Sequence, residues 1–361
     1  MEYNIRGIGG LELLQKKSFI SKQESTYLYG IAILMMVWHH FLGFPERIQG
    51  SMLYIGGNAE YMFELYMGYF CRICIAMYAF ISGYGMLKKS NHSEDGLTVT
   101  FMQSINHVLS FFLRYWLVVL IFTIIGIKLG VYQFHLQEFF RNFFGLSTSY
   151  NGEWWYVATY VKMLLTYPIA KKILDYAQKY KMLWMGIVGF LIFLFGYNHI
   201  KSGGTYTYYL SFWMGMIVAE TRFLESLYQF IQKQKIVQCM IAAICIIGTI
   251  VLRLTFISPD YDGILVLFYI WGWIVLLKKL NEKNIIKQIL KILGKYSVYI
   301  WLTHTFFIYY YFQEYFVRLK IACLIYIGVV VASLVSGMFI DLLYHKIIEN
   351  ITINKKNIIY R

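Results

Sequence analysis

Apolar residues run through this chain in blocks separated by short polar stretches. Many blocks have the roughly 17–25 positions that a helix rising about 1.5 Å per residue needs to cross a hydrocarbon layer. They occupy 27–44, 62–87, 105–127, 153–170, 182–197, 205–220, 236–256, 260–279, 296–316 and 321–344, the fifth and sixth being short. The pattern predicts an all-α fold, a polytopic membrane bundle of about ten transmembrane helices. The connections are short, with no inserted soluble domain and no fixed-period repeat. Residues 1–26 read as an N-terminal segment, 27–349 as one transmembrane domain and 350–361 as a C-terminal tail.

Composition agrees with the pattern. Of the 361 residues 59% are hydrophobic and 14% charged, where a soluble protein averages about 25% charged. The mean hydropathy is +0.53. A water-soluble fold of this size would lack the polar surface to stay dispersed. The 33 Tyr and 9 Trp suit bilayer interfaces, which satisfy a ring and its polar tip together. The first 26 residues lack an apolar core followed by a small-residue cleavage site, so no removable signal peptide is expected.

Charge adds orientation. Most of the 33 Lys and Arg fall on alternate connections, above all Lys278–Lys295, whereas the intervening ones hold few, among them Arg47, Arg141 and Arg318. The positive-inside rule then places both termini in the cytosol. The net charge of +14 follows from this asymmetry and calls for no nucleic-acid partner, because the basic residues are spread over many segments. The five cysteines lie in apolar stretches. Cys71 and Cys74 spell C-x-x-C without a second pair and read as small buried hydrophobes, with no metal site expected.

Ionisable residues inside the spans are few: His39, His40, Arg72, Arg114, Lys162 and His304, with Asp341 and His345 near the inner end of the last helix. Polar groups at membrane depth are costly and mark function more often than chance. Each also has a structural reading. Adjacent helical residues point about 100° apart, so His39 and His40 cannot both face one cavity. Arg72 and Lys162 would balance Glu64 or Glu153, and Arg114 would anchor to headgroups. No triad with a serine nucleophile, glycine-rich nucleotide loop or HExxH pattern is present. Neutral imidazole is the usual general base near pH 7, and a histidine base with arginines that hold an anionic donor suits group transfer to a hydroxyl.

The motifs resemble those of a known family. Gly30-Ile-Ala-Ile-Leu-Met-Met-Val-Trp-His39-His40 is similar to the first helix of the acyltransferase-3 family of bacterial membrane O-acyltransferases, whose essential histidine stands ten residues after the glycine. FISGYGM (80–86), FFLRYW (111–116), EWWYVATYVKMLLTYP (153–168), SFWMGM (211–216), LGKYSVYIWLTH (293–304) and YHKIIE (344–349) resemble its later segments, in order. Two departures stand out. Tyr29 replaces the usual basic residue before the glycine, and Phe111 replaces the first arginine of an R-x-x-R pattern that keeps only Arg114.

The resemblance implies transfer of an acyl group, commonly acetyl, from cytosolic acetyl-CoA or another acyl-CoA to a hydroxyl of a surface or secreted glycan or its lipid-linked precursor. It makes His40 the base and gives Arg114 a donor-binding role; Arg72 is added from its place inside a span as a second donor-binding candidate, and His304, Ser82 and Glu153 are supporting candidates. The expected partners are the lipid bilayer, acyl-CoA and a glycan acceptor in a bacterial cytoplasmic membrane, with no tightly bound cofactor. The rival class is a transporter of a lipid-linked sugar or small solute. Against it, no inverted repeat or matched pair of interrupted helices is visible.

Overall fold

The structure, a computed structural model, describes residues 18–50, 52–54, 62–90, 96–180, 189, 206–231, 234–255 and 259–359. Among these, regular structure is helical and one isolated β-bridge joins Leu53 to Ile321. The helices are α1 (Lys22–Leu42), α2 (Met62–Cys71), α3 (Cys74–Lys89), α4 (Leu97–Lys128), α5 (Leu136–Phe143), α6 (Trp155–Lys179) and α7 (Tyr206–Thr221). They continue as α8 (Phe223–Phe230), α9 (Lys235–Thr255), α10 (Asp262–Lys279), α11 (Ile285–Thr305), α12 (Gln313–Val317) and α13 (Ala322–Ile359). Among the described residues, four stretches are long and apolar enough to cross a membrane: Phe63–Lys89, Leu97–Lys128, Lys235–Thr255 and Ala322–Asn350. The other predicted spans fall on helices that are shorter or less apolar, except 182–197, nearly all of which lies outside the described residues.

Three features depart from the block pattern. The block 62–87 is two helices, broken at Arg72–Ile73, where the Ile73 amide bonds back three residues to the Phe70 carbonyl rather than four. The block 296–316 ends in a π-helical turn, Phe306–Tyr310, followed by α12. The short α5 is too brief to register as a span. It leaves Leu136, Phe140 and Phe144 exposed, as a helix lying in a bilayer surface would.

Glycines set the tightest crossings. A Cβ on Gly30 would overlap the Leu290 carbonyl, and one on Gly294 the Thr26 carbonyl, so α1 and α11 meet backbone to backbone. Gly83 and Gly215 do the same for α3 and α7, against Phe212 and Phe80. In lipid there is little hydrophobic drive between helices, and close backbone approach at small residues supplies the packing. The motif glycines are therefore structural, and they fix the helix that carries His39 and His40 against the one that carries His304.

The bundle has two distinct ends. At one, Ser21 caps α1 in a reciprocal box with Glu24, whose carboxylate also pairs with Lys278 of α10. Glu282 pairs with Lys287 at 2.7 Å and accepts from Tyr27 at 2.8 Å. At the other end, Arg47, Glu153 and the Tyr309 turn meet beside the last residues of α1.

Candidate functional site

His40 ends α1 against residues brought from three other parts of the chain. Glu153 stands in the turn before α6, and that turn is fastened to the end of α11. Asn151 Nδ2 donates to Thr305 Oγ1 at 2.8 Å, and Trp154 Nε1 donates to the Leu302 carbonyl at 3.0 Å. So fixed, Glu153 divides its two oxygens. Oε1 receives Arg47 Nη1 at 2.8 Å, and Oε2 faces His40 Nδ1 at 3.6 Å. Arg47 lies over the Tyr309 ring, 3.7 Å from its centroid, and the Tyr309 hydroxyl donates to the His40 carbonyl. The π-helical turn places Tyr309 where it holds both the arginine and the end of α1.

The three histidines differ in what their nitrogens meet. His39 Nδ1 lies 2.7 Å from the Gly68 carbonyl. A carbonyl only accepts, so this nitrogen carries the proton and ties α1 to α2, where Gly43 and Gly68 come together. His304 Nδ1 lies 3.0 and 2.8 Å from the Ile300 and Trp301 carbonyls, which likewise fixes its tautomer. Its Nε2 is an acceptor, buried with no hydrogen-bond partner. His40 Nδ1 is also buried without a hydrogen bond, at ion-pair distance from Glu153, and the His40 and His304 rings stand 5.1 Å apart. Two adjacent buried imidazoles thus keep nitrogen atoms that the fold leaves unsatisfied. Buried polar atoms of this kind are rare unless a ligand uses them.

Of the six candidates from the sequence, the structure brings His40, Glu153 and His304 together and sets Arg72, Arg114 and Ser82 apart. Arg114 Nη1 donates to the Ser110 carbonyl and hydroxyl at 2.8 and 2.7 Å, with its guanidinium 4.3 Å from the Tyr344 ring centroid. Ser82 lies 3.3 Å from the Tyr29 hydroxyl, well along α3 towards the lysine-rich end. Arg72, at the α2–α3 break, stands beside Tyr208 and within reach of Asp262. Lys162 is exposed on α6, and the cation on Glu153 is Arg47.

Arg47 and Tyr309 were missed in the sequence. Tyr309 sits in an aromatic run without a distinguishing neighbour. Arg47 did carry a signal: it is a cation on the side where the charge pattern makes cations scarce, five residues beyond α1. Among the described residues no group of His, Cys, Asp and Glu is arranged to hold a metal.

An acyltransferase-domain family matches residues 25–342, from the start of α1 to the middle of α13. No curated protein and no solved structure matches the chain. The matched span contains every motif segment except YHKIIE (344–349), and it includes His40, Glu153 and His304. The chain belongs to the acyltransferase-3 family of membrane acyltransferases.

Proposed function

We propose that this acyltransferase moves an acyl group, acetyl by its resemblance, from a cytosolic acyl-CoA to a hydroxyl of a cell-surface or secreted glycan or its lipid-linked precursor. The protein would sit in a bacterial cytoplasmic membrane with about ten spans, both termini and the lysine-rich end inside. The observation that carries the reading is the His40–Glu153 pair. With its Nδ1 proton directed at the carboxylate, His40 keeps the Nε2 lone pair for an acceptor hydroxyl, the division of labour in histidine–carboxylate catalysis. A gap of 3.6 Å suits a pair that tightens when substrate arrives.

The chemistry balances with this set. The acceptor oxygen attacks the thioester carbonyl while His40 Nε2 takes its proton. Glu153 stabilises the resulting imidazolium through Nδ1–H. The C–S bond then breaks and the imidazolium returns the proton to sulfur, leaving coenzyme A thiol and an ester. His304, with Nε2 unpartnered beside His40, supplies an acceptor for a second hydroxyl or amide of the substrates. Arg114 remains a proposed donor contact because it stands within electrostatic reach of Tyr160, on the inner half of the bundle. Arg72 is a weaker candidate, since Tyr208 and the acids near it already engage it.

The test is direct. Purified protein in lipid nanodiscs receives radiolabelled acetyl-CoA and isolated glycan, and label in the glycan and free thiol are both measured. Wild type should transfer label, and His40→Ala should not. If wild type releases no thiol and the acetyl content of the cell-surface glycan is the same with and without the gene, the reading fails.

A further inference from the structure

The lysine-rich end holds two clefts side by side, and they differ in charge balance. One, of about 410 Å³, mixes Lys278 and Lys287 with Glu24, Glu225 and Glu282, and the ion pairs described above close across it. The other, of about 680 Å³, opens between α1, α3, α4 and α6, and its lining includes Lys22, Lys88, Lys89 and His107 without a carboxylate. None of these three lysines has an ion-pair partner among the described residues. Lysines free of ion pairs around a concave surface attract an anion, and three of them suit a ligand with several negative charges; Glu220 and Glu225 act on Lys88 only from outside the lining.

The cleft also has depth in the right direction. Tyr29, Ser82 and Tyr160 lie in its lining, and Tyr29 precedes His40 by eleven residues on α1, about 16 Å along the helix. Beside these lining residues are further hydroxyls: Tyr78 packs on the Tyr29 ring at 5.3 Å, and Tyr156 stacks on Tyr160 with its hydroxyl buried and unpartnered. A ligand with charged groups at the mouth and a long, narrow, polar arm fits that route better than one with a bulky apolar body. Tyr29 and Phe111 take positions where the resemblance places basic residues. Lys22 lies two turns and His107 one turn nearer the mouth on the same helices.

We propose that the Lys22–Lys88–Lys89–His107 cleft is the subsite for the phosphate groups of the acyl donor, with the thioester arm running up the Tyr29–Tyr156 route to His40. This rests on the acyl-CoA reading above. An anionic lipid headgroup shares the phosphate chemistry, so the experiment separates the two sources.

Full-length protein in nanodiscs of neutral lipid is titrated with coenzyme A and with pantetheine, which has the arm and no phosphate. The variants are Lys22→Gln/Lys88→Gln/Lys89→Gln, the matching triple Arg variant, and Lys278→Gln in the neighbouring cleft. Removing a charge-assisted contact costs about tenfold in affinity. The triple Gln variant should therefore bind coenzyme A on the order of 1,000-fold more weakly and pantetheine as wild type does, the Arg variant should recover most of the loss, and Lys278→Gln should change neither. Three results would overturn the proposal while leaving the acyl-CoA reading intact: unchanged coenzyme A affinity in the triple Gln variant, equal loss for coenzyme A and pantetheine, or lost phosphatidylglycerol binding with coenzyme A binding intact. Wild type that binds no coenzyme A at all would overturn the donor reading as well.

Discussion

Two acid–arginine clusters lie at neighbouring helix ends in this bundle, one sealed and the other with its arginine 34% exposed, and they are built differently. In the first, Arg253 at the end of α9 faces Asp262 at the start of α10, with nitrogen–oxygen distances of 2.8 and 3.4 Å to the two carboxylate oxygens. Both side chains are nearly sealed, at 5% and 3% exposure. In the second, Glu153 turns one oxygen to Arg47 and the other to His40, and His40 Nδ1 and His304 Nε2 have no hydrogen bond. A pair whose partners satisfy each other has nothing left for a substrate, and its removal is a matter of stability. A carboxylate shared between a cation and an imidazole polarises that imidazole. The same residue types thus form a closed fastening in one place and, in the function proposed above, the reactive centre in the other, and the difference lies in which valences stay open.

The comparison breaks most sharply at His40. His40→Ala should lower turnover by about 10²–10⁴-fold, the contribution of a positioned base, while the protein still inserts and accumulates. His40→Gln should remain inactive, because an amide hydrogen-bonds but does not take the proton. Label transfer per folded molecule, with folding checked by size-exclusion chromatography, measures this. Near-normal turnover of His40→Gln would remove the base from the scheme.

The closed cluster should answer the opposite way. Asp262→Asn leaves Arg253 buried without a counter-charge and also withdraws charge from nearby Arg72, for a stability loss of about 3–5 kcal/mol. Thermal unfolding in detergent should show the loss, and turnover per surviving folded molecule should be unchanged. The double change Arg253→Met/Asp262→Leu should recover much of the stability, since a well-packed apolar pair often replaces a buried ion pair at no cost. A double variant as unstable as the single one would mean that the pair does more than close the helix ends.

These two clusters also show what a single sequence makes legible. The helical blocks, the family and the glycine-spaced histidine are visible because helix periodicity and motif spacing are local. The role of the motif glycines is half visible: Gly30, Gly83, Gly215 and Gly294 stand out in the motifs, but which backbones they touch is a tertiary fact. Pairing is not legible. Glu153 and His40 are 113 positions apart, and they meet because Asn151 and Trp154 are held by Thr305 and Leu302, a contact that leaves no periodic trace. Arg72 and Arg253 look alike as lone arginines in apolar surroundings, and their partners separate them only in three dimensions. The break at Arg72 is hidden for the same reason, since neither Pro nor Gly marks it.

Glu153 sharpens the comparison at a smaller scale. Glu153→Gln keeps the shape but presents an amide that can donate to His40 Nδ1, which favours the tautomer with the proton on Nε2, the wrong one for a base. Turnover should fall by about 10²-fold, with the donor KM little changed because Glu153 lies at the opposite end from the lysine cleft. Glu153→Asp should keep part of the activity. A Glu153→Gln variant that instead raised the donor KM at constant kcat would make Glu153 a binding residue rather than one that orients His40.

The smallest expected effect is at His39, and it tests whether proximity alone makes a residue catalytic. Its ring stands 5.0 Å from that of His40, so a reading by distance would include it. Its Nδ1 proton, however, is committed to the Gly68 carbonyl, at a crossing where Gly43 and Gly68 leave no room for another anchor. His39→Ala removes one buried hydrogen bond and orphans that carbonyl, a loss of about 1–3 kcal/mol. The thermal midpoint should fall while folded protein keeps most of its turnover. His39→Asn, which retains a donor on a shorter side chain, should fall between wild type and alanine in stability. If His39→Ala folds as wild type does and is inactive while His40→Ala transfers acyl groups, then the open valences belong to the other histidine and the roles assigned to the pair are reversed.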